Sequence, residues 1–127
     1  MNYFCELLVM PRMNLEVKME ILHQRLSRNP QIKGSILLHE NGLHISSNVP
    51  KELPETRRLS AALANIWRQL YKNNDLDEGN FHLKQFQIFM KSIPSKKVIL
   101  ALISDNPEAP GMQEQLARYS QIFQKIL

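Results

Sequence analysis

The chain is poor in cysteine, and this scarcity sets the first limits on its chemistry. Cys5 is the single cysteine among 127 residues. The chain therefore cannot close an internal disulfide, and it cannot offer paired thiolates to a structural zinc ion. We expect a protein of the reducing cytoplasm.

Long apolar runs are missing as well. The apolar runs at residues 7–10 and 98–103 are both far short of the roughly 20 residues that a membrane-spanning helix needs. The first residues also lack the basic lead and the small-residue cleavage site of a signal peptide. We expect neither membrane insertion nor a secretory leader.

Neither sign of charge dominates the chain. Its 16 Lys and Arg oppose 12 Asp and Glu, and the net charge of +4 is scattered along the sequence. A nucleic-acid-binding module would gather its cations in a dense stripe or interleave them with aromatic residues, and neither pattern occurs. Helical spacing does place Arg57, Arg68 and Lys72 on one face, which predicts either a solvated surface or a contact for an acidic partner.

Motifs of catalysis are absent too. The chain contains no phosphate-binding G-x-x-x-x-G-K-[ST] loop, no G-x-G-x-x-G and no H-E-x-x-H. We therefore expect no enzyme, no catalytic residue and no cofactor. His39 and His44 are predicted to face each other across a hairpin, but such a pair holds a metal ion only when further ligands join it. A solvated pair is the commoner arrangement, so we predict no metal site.

A β-hairpin is the strongest positive signal. Apolar residues flank Asn41-Gly42, and this dipeptide favours a two-residue type I′ turn because Asn and Gly tolerate positive φ best. Such a turn fixes the pairing of the two strands, at roughly residues 32–40 and 43–48. The predicted pairs are Glu40 with Leu43, His39 with His44, Leu38 with Ile45, and Leu37 with Ser46.

Apolar residues at intervals of three and four predict three helices. The first begins after Asn14, which suits the N-cap position, and ends before Pro30. The second spans about residues 55–72, and the third begins at Met112. Residues 1–13 precede these elements and are consistent with an edge strand, a short helix or a mobile arm.

The strands between the second and third helices are less regular. Within residues 81–92 the apolar positions change parity near Lys84-Gln85, which indicates either a β-bulge or a change of strand. The lack of Gly, Pro or Asn there favours the bulge. Residues 98–103 form an unbroken apolar run, typical of a central strand. The predicted class is α+β over residues 14–127, an antiparallel sheet with helices on both faces in the order α-β-β-α-β-(β)-β-α, with the bracketed strand left open.

The second helix has two different sides. Leu59, Leu63 and Ile66 lie on a broad apolar stripe suited to packing on a sheet. The opposite side is predicted to carry small residues that would let another helix approach closely, which suggests self-association. These residues are Ser60, Ala61 and Ala64. High helix propensity is the commoner reason for small residues on such a side.

A family resemblance links these elements. Residues 34–47 (GSILLHENGLHISS), the strand at 98–103, Ser104-Asp105-Asn106 and the closing helix resemble, in pattern and order, the roadblock/dynein light chain family across residues 14–127. The family carries three strands between its central and last helices, whereas two are evident here. The third is either a short strand near residues 80–84, joined directly to the next, or absent.

The resemblance implies a non-catalytic adaptor. Roadblock proteins form homodimers or heterodimers with paralogues, their central helices side by side and their sheets joined edge to edge. They commonly hold or regulate small Ras-like GTPases or serve as motor and scaffold subunits. The resemblance implies dimer contacts at Ser60, Ala61, Ala64, Arg68, Phe86 and Ile88, and the basic face of the helix adds possible partner contacts at Arg57 and Lys72. Such a dimer would act by binding one state of the GTPase better than the other, and Ala64→Arg is expected to leave a folded monomer.

Two other function classes remain open. A profilin-like or PAS-like ligand-sensing domain would hold a small molecule or peptide in a pocket between sheet and helix. Its lining would be Trp67, Phe86, Phe89 and Tyr119, although large residues of this kind are more often simply core. A basic nucleic-acid-binding module would use the net positive charge. Thermal stabilisation by a metabolite would favour the first class, and salt-sensitive binding of a polyanion the second.

Overall fold

The computed structural model describes residues 13–51, 53, 55–73, 78–83, 85–106, 108 and 110–127. The helices are α1 (Leu15–Ser27), α2 (Thr56–Asn73) and α3 (Met112–Ile126), and the strands are β1 (Gly34–His39), β2 (His44–Asn48), β3 (Glu78–Leu83), β4 (Phe86–Ile93) and β5 (Val98–Ser104). This order confirms the predicted α+β class, with the bracketed strand present. The predictions for residues 1–12, including Cys5 and an arm or edge strand, fall outside the described residues.

The five strands form one antiparallel sheet in the order β2-β1-β5-β4-β3. β5 lies in the middle, and every one of its residues is buried. An unbroken apolar strand is stable in this place because both faces of the sheet are covered there. The prediction of a central strand at residues 98–103 is confirmed, and β2 and β3 are the edges of the sheet.

Helices cover the two faces of the sheet unequally, with α1 and α3 on one face and α2 on the other. Successive residues of a strand point to opposite faces. In β5, Leu100 and Leu102 accordingly belong to the core under α1 and α3, whereas Ile99 and Ala101 belong to the core under α2. Each helix turns its apolar stripe toward the core that it covers, as the spacing predicts.

The helix α1 begins where the sequence predicts. Asn14 Oδ1 accepts a hydrogen bond from the Val17 N–H at 2.9 Å, which satisfies one of the free donors of the first turn. Leu22 and Leu26 of the predicted stripe are buried, but Leu15 stays exposed. Among the described residues, no helix combines the length and the apolar character that crossing a bilayer requires.

The β1-β2 hairpin differs from its prediction at the turn. The Gly42 N–H donates to His39 O, and the His39 N–H donates to Leu43 O, both at 2.8 Å. Gly42 has a φ of 99° and Asn41 does not have a positive φ, so the loop has three residues and ends in a glycine bulge rather than in a type I′ turn. Asn41 Oδ1 accepts from the Leu43 N–H at 3.0 Å, which stabilises this alternative.

A second irregularity, a bulge in β2, restores the predicted register farther from the turn. Leu38 pairs with His44 and Leu37 with Ser46, so Ile45 is left as an extra residue. The predicted pairing of Leu37 with Ser46 is confirmed, whereas the pairs predicted nearer the turn are wrong. His39 and His44 do not face each other, because the glycine bulge sets His39 opposite Leu43 instead.

The parity change near residue 85 is a change of strand. Leu83 pairs with Phe86, and β3 runs antiparallel to β4 along its whole length. The two strands are therefore joined by a tight two-residue connection, and the expectation of a β-bulge is wrong. The short third strand suggested by the resemblance is present, at the edge of the sheet.

Candidate functional site

The side of α2 that meets the sheet is wider than its apolar stripe. Leu59, Leu63 and Trp67 are buried as predicted, but Ser60 and Ala64 are also fully buried. The prediction that Ser60 and Ala64 lie on a free side of the helix is therefore wrong. Ala64→Arg is consequently no longer expected to leave the fold intact.

The β1-β2 hairpin explains this extra burial. Its tip lies against α2, so that a Cβ added to Gly42 would lie 3.4 Å from Ala61 Cα and 3.6 Å from Ala64 Cβ. Arg68 Nη1 also donates to the backbone oxygen of Glu40 in the turn, at 3.4 Å. The small residues of α2 thus allow its own hairpin to approach closely, a contact that helical spacing alone does not reveal.

The opposite side of α2 is exposed and is the candidate interaction surface, here called the outer face. Its exposed residues are Arg57, Arg58, Ala61, Ala62, Asn65, Arg68 and Gln69. Of the predicted dimer contacts it includes Ala61 and Arg68, and of the predicted partner contacts it includes Arg57. The side chain of Lys72 lies outside the described part of the chain. Small side chains occupy the centre of the outer face and arginines flank it.

The charge of the outer face is one-sided. The first turn of α2 has no acidic residue, and in the part of the chain that the structure describes no salt bridge joins Arg57, Arg58 or Arg68 to a carboxylate. Leu43, at the hairpin tip next to Gly42, is 66% exposed. The outer face therefore combines a small-residue centre, arginines that no described carboxylate pairs with, and a neighbouring exposed leucine.

Phe86 and Ile88 do not lie at an open edge. β4 has β3 on one side and β5 on the other, and both side chains are buried in the core under α2. The prediction that they lie along joined strands is wrong for this reason. Among the described strands, β2 and β3 are the ones at the edges of the sheet.

Sequence reasoning missed a buried polar cluster between α1 and the hairpin. His23 Nδ1 lies 2.6 Å from Ser35 Oγ of β1, and His23 Nε2 lies 2.7 Å from Ser46 Oγ of β2. The His23 ring also packs against the ring of Phe123, with 5.4 Å between the two ring centroids. Burial lowers the pKa of the His23 imidazole to about 4, with a smaller contribution from His44. His23 follows Met19 by four residues, so its place on the buried stripe was readable from the sequence.

The remaining histidines form no metal centre in the described residues. The Nε2 atom of His44 lies 2.7 Å from Ser47 Oγ on the exposed side of β2. No group of three or more His, Cys, Asp or Glu side chains converges anywhere in the described ranges. The hairpin tip packs against Ala61 and Ala64 of α2.

The aromatic residues proposed to line one ligand pocket are divided between two cores. Trp67 and Phe86 pack under α2, whereas Phe89 and Tyr119 pack under α1 and α3. The sheet separates the two pairs, so they cannot line one cavity. A surface depression of about 620 Å³ does exist, but it lies beside α3 and is lined by Ser95, Lys96, Gln121, Gln124 and Lys125.

Comparisons with known proteins identify the fold. No family model matches the chain, and no curated protein matches it. The chain is similar to the solved structure of MglB from Myxococcus xanthus, at 22% identity over 86% of this chain and 94% of that one, with a TM-score of 0.70. Gliding protein MglB from Thermus thermophilus is 14% identical over 88% and 90%, with a TM-score of 0.68. A roadblock/LC7 domain from Streptomyces avermitilis is 17% identical over 88% and 96%, with a TM-score of 0.65.

Proposed function

We propose, from the premise that this chain has the roadblock/LC7 fold, that it is a non-catalytic adaptor. It associates through the outer face of α2 with a partner of the same fold, and the assembly binds and regulates or localises a small Ras-like GTPase in the cytoplasm. The observation that carries the proposal is the outer face itself, a small-residue surface on the helix that, in the described part of the chain, covers its side of the sheet.

The shape of the outer face supports docking of a helix. Packed helices lie about 8–10 Å apart, and the closest approaches need small side chains at the contact. Ala61, Ala62 and Asn65 supply such a centre. Leu43 beside it is a large exposed apolar side chain. Burying such a side chain against a partner stabilises the complex, because it removes apolar surface from water.

The mechanism is one of binding rather than of chemistry. An assembled pair presents a composite surface that neither partner has alone. A GTPase that binds this surface better in one nucleotide state is shifted toward that state, by no more than the difference between its two affinities. Arg57, at the end of the outer face, is the described residue that we assign to partner contact, and Lys72 is its counterpart at the other end of the helix.

The test is capture of the tagged full-length chain from its own cells. Wild type is compared with Asn65→Tyr, which places a bulky uncharged side chain at the centre of the outer face, and with Gln113→Tyr, the same residue at an exposed position of α3. Captured proteins are identified by mass spectrometry, and bound guanine nucleotide is measured by chromatography.

Wild type and Gln113→Tyr are expected to carry a partner of the same fold and a GTPase with its nucleotide, and Asn65→Tyr is expected to lose both. Complexes without guanine nucleotide would contradict the GTPase assignment. Complexes that survive Asn65→Tyr would contradict the use of the outer face.

A further inference from the structure

We propose that the partner on the outer face of α2 carries an acidic surface, and that it is therefore a different chain of the same fold rather than a second copy of this one. The inference rests on the proposed function, since it names the kind of partner that the outer face selects. Its basis is the distribution of charge on and around α2.

The charge of α2 is entirely of one sign. Residues 56–73 contain Arg57, Arg58, Arg68 and Lys72 and no Asp or Glu. The three arginines are exposed. α3 shows the contrasting arrangement, because there Arg118 Nη2 lies 3.1 Å from Glu114 Oε1. Arg118 of α3 is paired within its own helix, whereas α2 contains no carboxylate that could pair with its arginines.

Association with a second copy would oppose these cations to one another. A two-fold symmetric interface uses the same patch on both subunits. Arginines of one outer face would then approach arginines of the other, an arrangement that disfavours association. Glu55, just before α2, and the half-buried Glu40 of the hairpin turn are the described carboxylates beside the helix. Among the described side chains, these two carboxylates stand against three exposed arginines.

The position of two arginines strengthens the argument. Arg57 and Arg58 lie in the first turn of α2, where the helix dipole is positive and a cation is unfavourable. In the isolated chain these residues are opposed by the dipole and by each other. An acidic partner would remove both penalties, which makes the pair of arginines more favourable in the complex than in the free protein.

The centre of the outer face favours a protein over a nucleic acid. Single-stranded nucleic acids bind where cations surround exposed aromatic rings on which bases stack. The described exposed residues of α2 include no aromatic side chain, and Trp67 is buried. Ala61, Ala62 and Asn65 instead form a flat surface against which a helix of the partner can pack.

The experiment uses the chain itself as the probe for an acidic partner. The triple variant R57E/R58E/R68E keeps the shape of the outer face and reverses its charge. The matched control is R28E/K96E/K97E, which changes three exposed cations elsewhere. Each variant lowers the net charge by six, from +4 to −2, so overall attraction to wild type is equal. Association is measured by light scattering and analytical ultracentrifugation, and each fold is checked by circular dichroism.

A mixture of wild type and R57E/R58E/R68E is expected to form a 1:1 complex at least about 10-fold tighter than wild type alone or the control mixture. Raising the salt from about 50 to about 500 mM should weaken it by a similar factor, because exposed charges are screened. Asn65→Tyr in either partner should abolish it.

Three results would overturn the proposal. Wild type that dimerises as tightly alone as in the mixture would identify a second copy as the partner, while leaving the adaptor function intact. A mixture no tighter than the control would show that charge on this face does not select a partner. Tight binding of a short single-stranded DNA that is lost only in R57E/R58E/R68E would assign the face to nucleic acid. Failure of the adaptor function itself is detected separately, by capture with Asn65→Tyr.

Discussion

The two sides of the sheet are built on different plans. On one side α1 and α3 share a single core with the sheet, and Phe123 of α3 packs against His23 of α1. On the other side α2 is the one helix of the described residues that covers the strands, assisted by the tip of the hairpin. A helix with a neighbour on the same layer buries more of its circumference than a helix that lies alone.

The two sides also differ in where they place their polar and charged groups. The two-helix side carries its polar groups inside, with His23 held between two serines, and its surface includes the pair Glu114–Arg118. The α2 side has a nearly apolar interior, and within the described residues its exposed arginines have no carboxylate partner. On the first side, His23 and Arg118 are paired within the chain. On the second, the arginines are left for contacts outside it, which is why we assign the partner to this side.

The largest difference in stability is expected between arginine substitutions on the buried and the exposed side of α2. Ala64→Arg places a charged side chain in a fully buried position under the hairpin and should cost about 3–5 kcal/mol, or prevent folding. Ala61→Arg, three residues away on the exposed side, should change stability by less than about 0.5 kcal/mol. Urea unfolding measures both. Equal stability of the two variants would show that α2 does not lie on the hairpin as described.

The polar interior of the two-helix side predicts a pH dependence. The unfolded chain protonates His23 at its ordinary pKa of 6.5, whereas burial in the folded chain lowers that pKa to about 4. The unfolded state therefore binds the proton first, and stability is complete above about pH 6.5 and is lost as the pH falls toward 4. The difference between the two pKa values corresponds to about 3 kcal/mol.

The variant that isolates this effect is His23→Leu. It leaves Ser35 and Ser46 without their imidazole partner and should lower the free energy of unfolding at neutral pH by about 1–3 kcal/mol. The variant should also lose less stability than wild type as the pH falls from 6.5 to 4. His82→Gln, which removes an exposed histidine, is the control. A wild-type pH profile in His23→Leu would assign the acid sensitivity to other groups.

The same comparison shows what the sequence could reveal. Apolar runs and intervals report burial directly, so β5 and the stripes of α2 and α3 were predictable. The neutral, buried His23 was also within reach, because it lies on the stripe of α1 between Met19 and Leu26. It was missed because a histidine without a partner nearby in the sequence can still find partners on other strands.

The remaining errors concern contacts between elements. The turn after His39 depends on a side-chain hydrogen bond of Asn41 that competes with the type I′ geometry. The connection between β3 and β4 lacks the residues that usually mark a turn, so its parity change was ambiguous. Ala64 lies beside the hairpin tip, a contact between elements that are far apart in the sequence. None of these features follows from the periodicity of a single segment.

Each side of the sheet also has a glycine with positive φ, but one of the two has close neighbours and the other has none. Gly42 has a φ of 99° and lies against Ala61, whereas Gly111, before α3, has a φ of 78° and open space around it. Gly111→Ala should cost about 1 kcal/mol from the left-handed backbone alone, and Gly42→Ala about 2 kcal/mol because the hairpin tip must also shift from α2. Gly79→Ala, with no positive φ and no neighbour within 4 Å, is the control and should not destabilise. A larger cost at Gly111 would reverse the comparison.

The smallest effects, and the most diagnostic, are expected from the surface arginines of the two sides. Arg118→Ala removes the exposed pair with Glu114 and should cost no more than about 0.5 kcal/mol. Arg57→Ala should have the opposite sign, a gain of about 0.3–0.5 kcal/mol, because it removes a cation from the positive end of α2. Thermal unfolding at low and high salt measures both, and both effects should shrink as salt is added. A loss of stability in Arg57→Ala would mean that this arginine already has a favourable partner within the chain. Its charge would then be satisfied internally, as it is on the side of α1 and α3, and the contrast between the two sides would disappear.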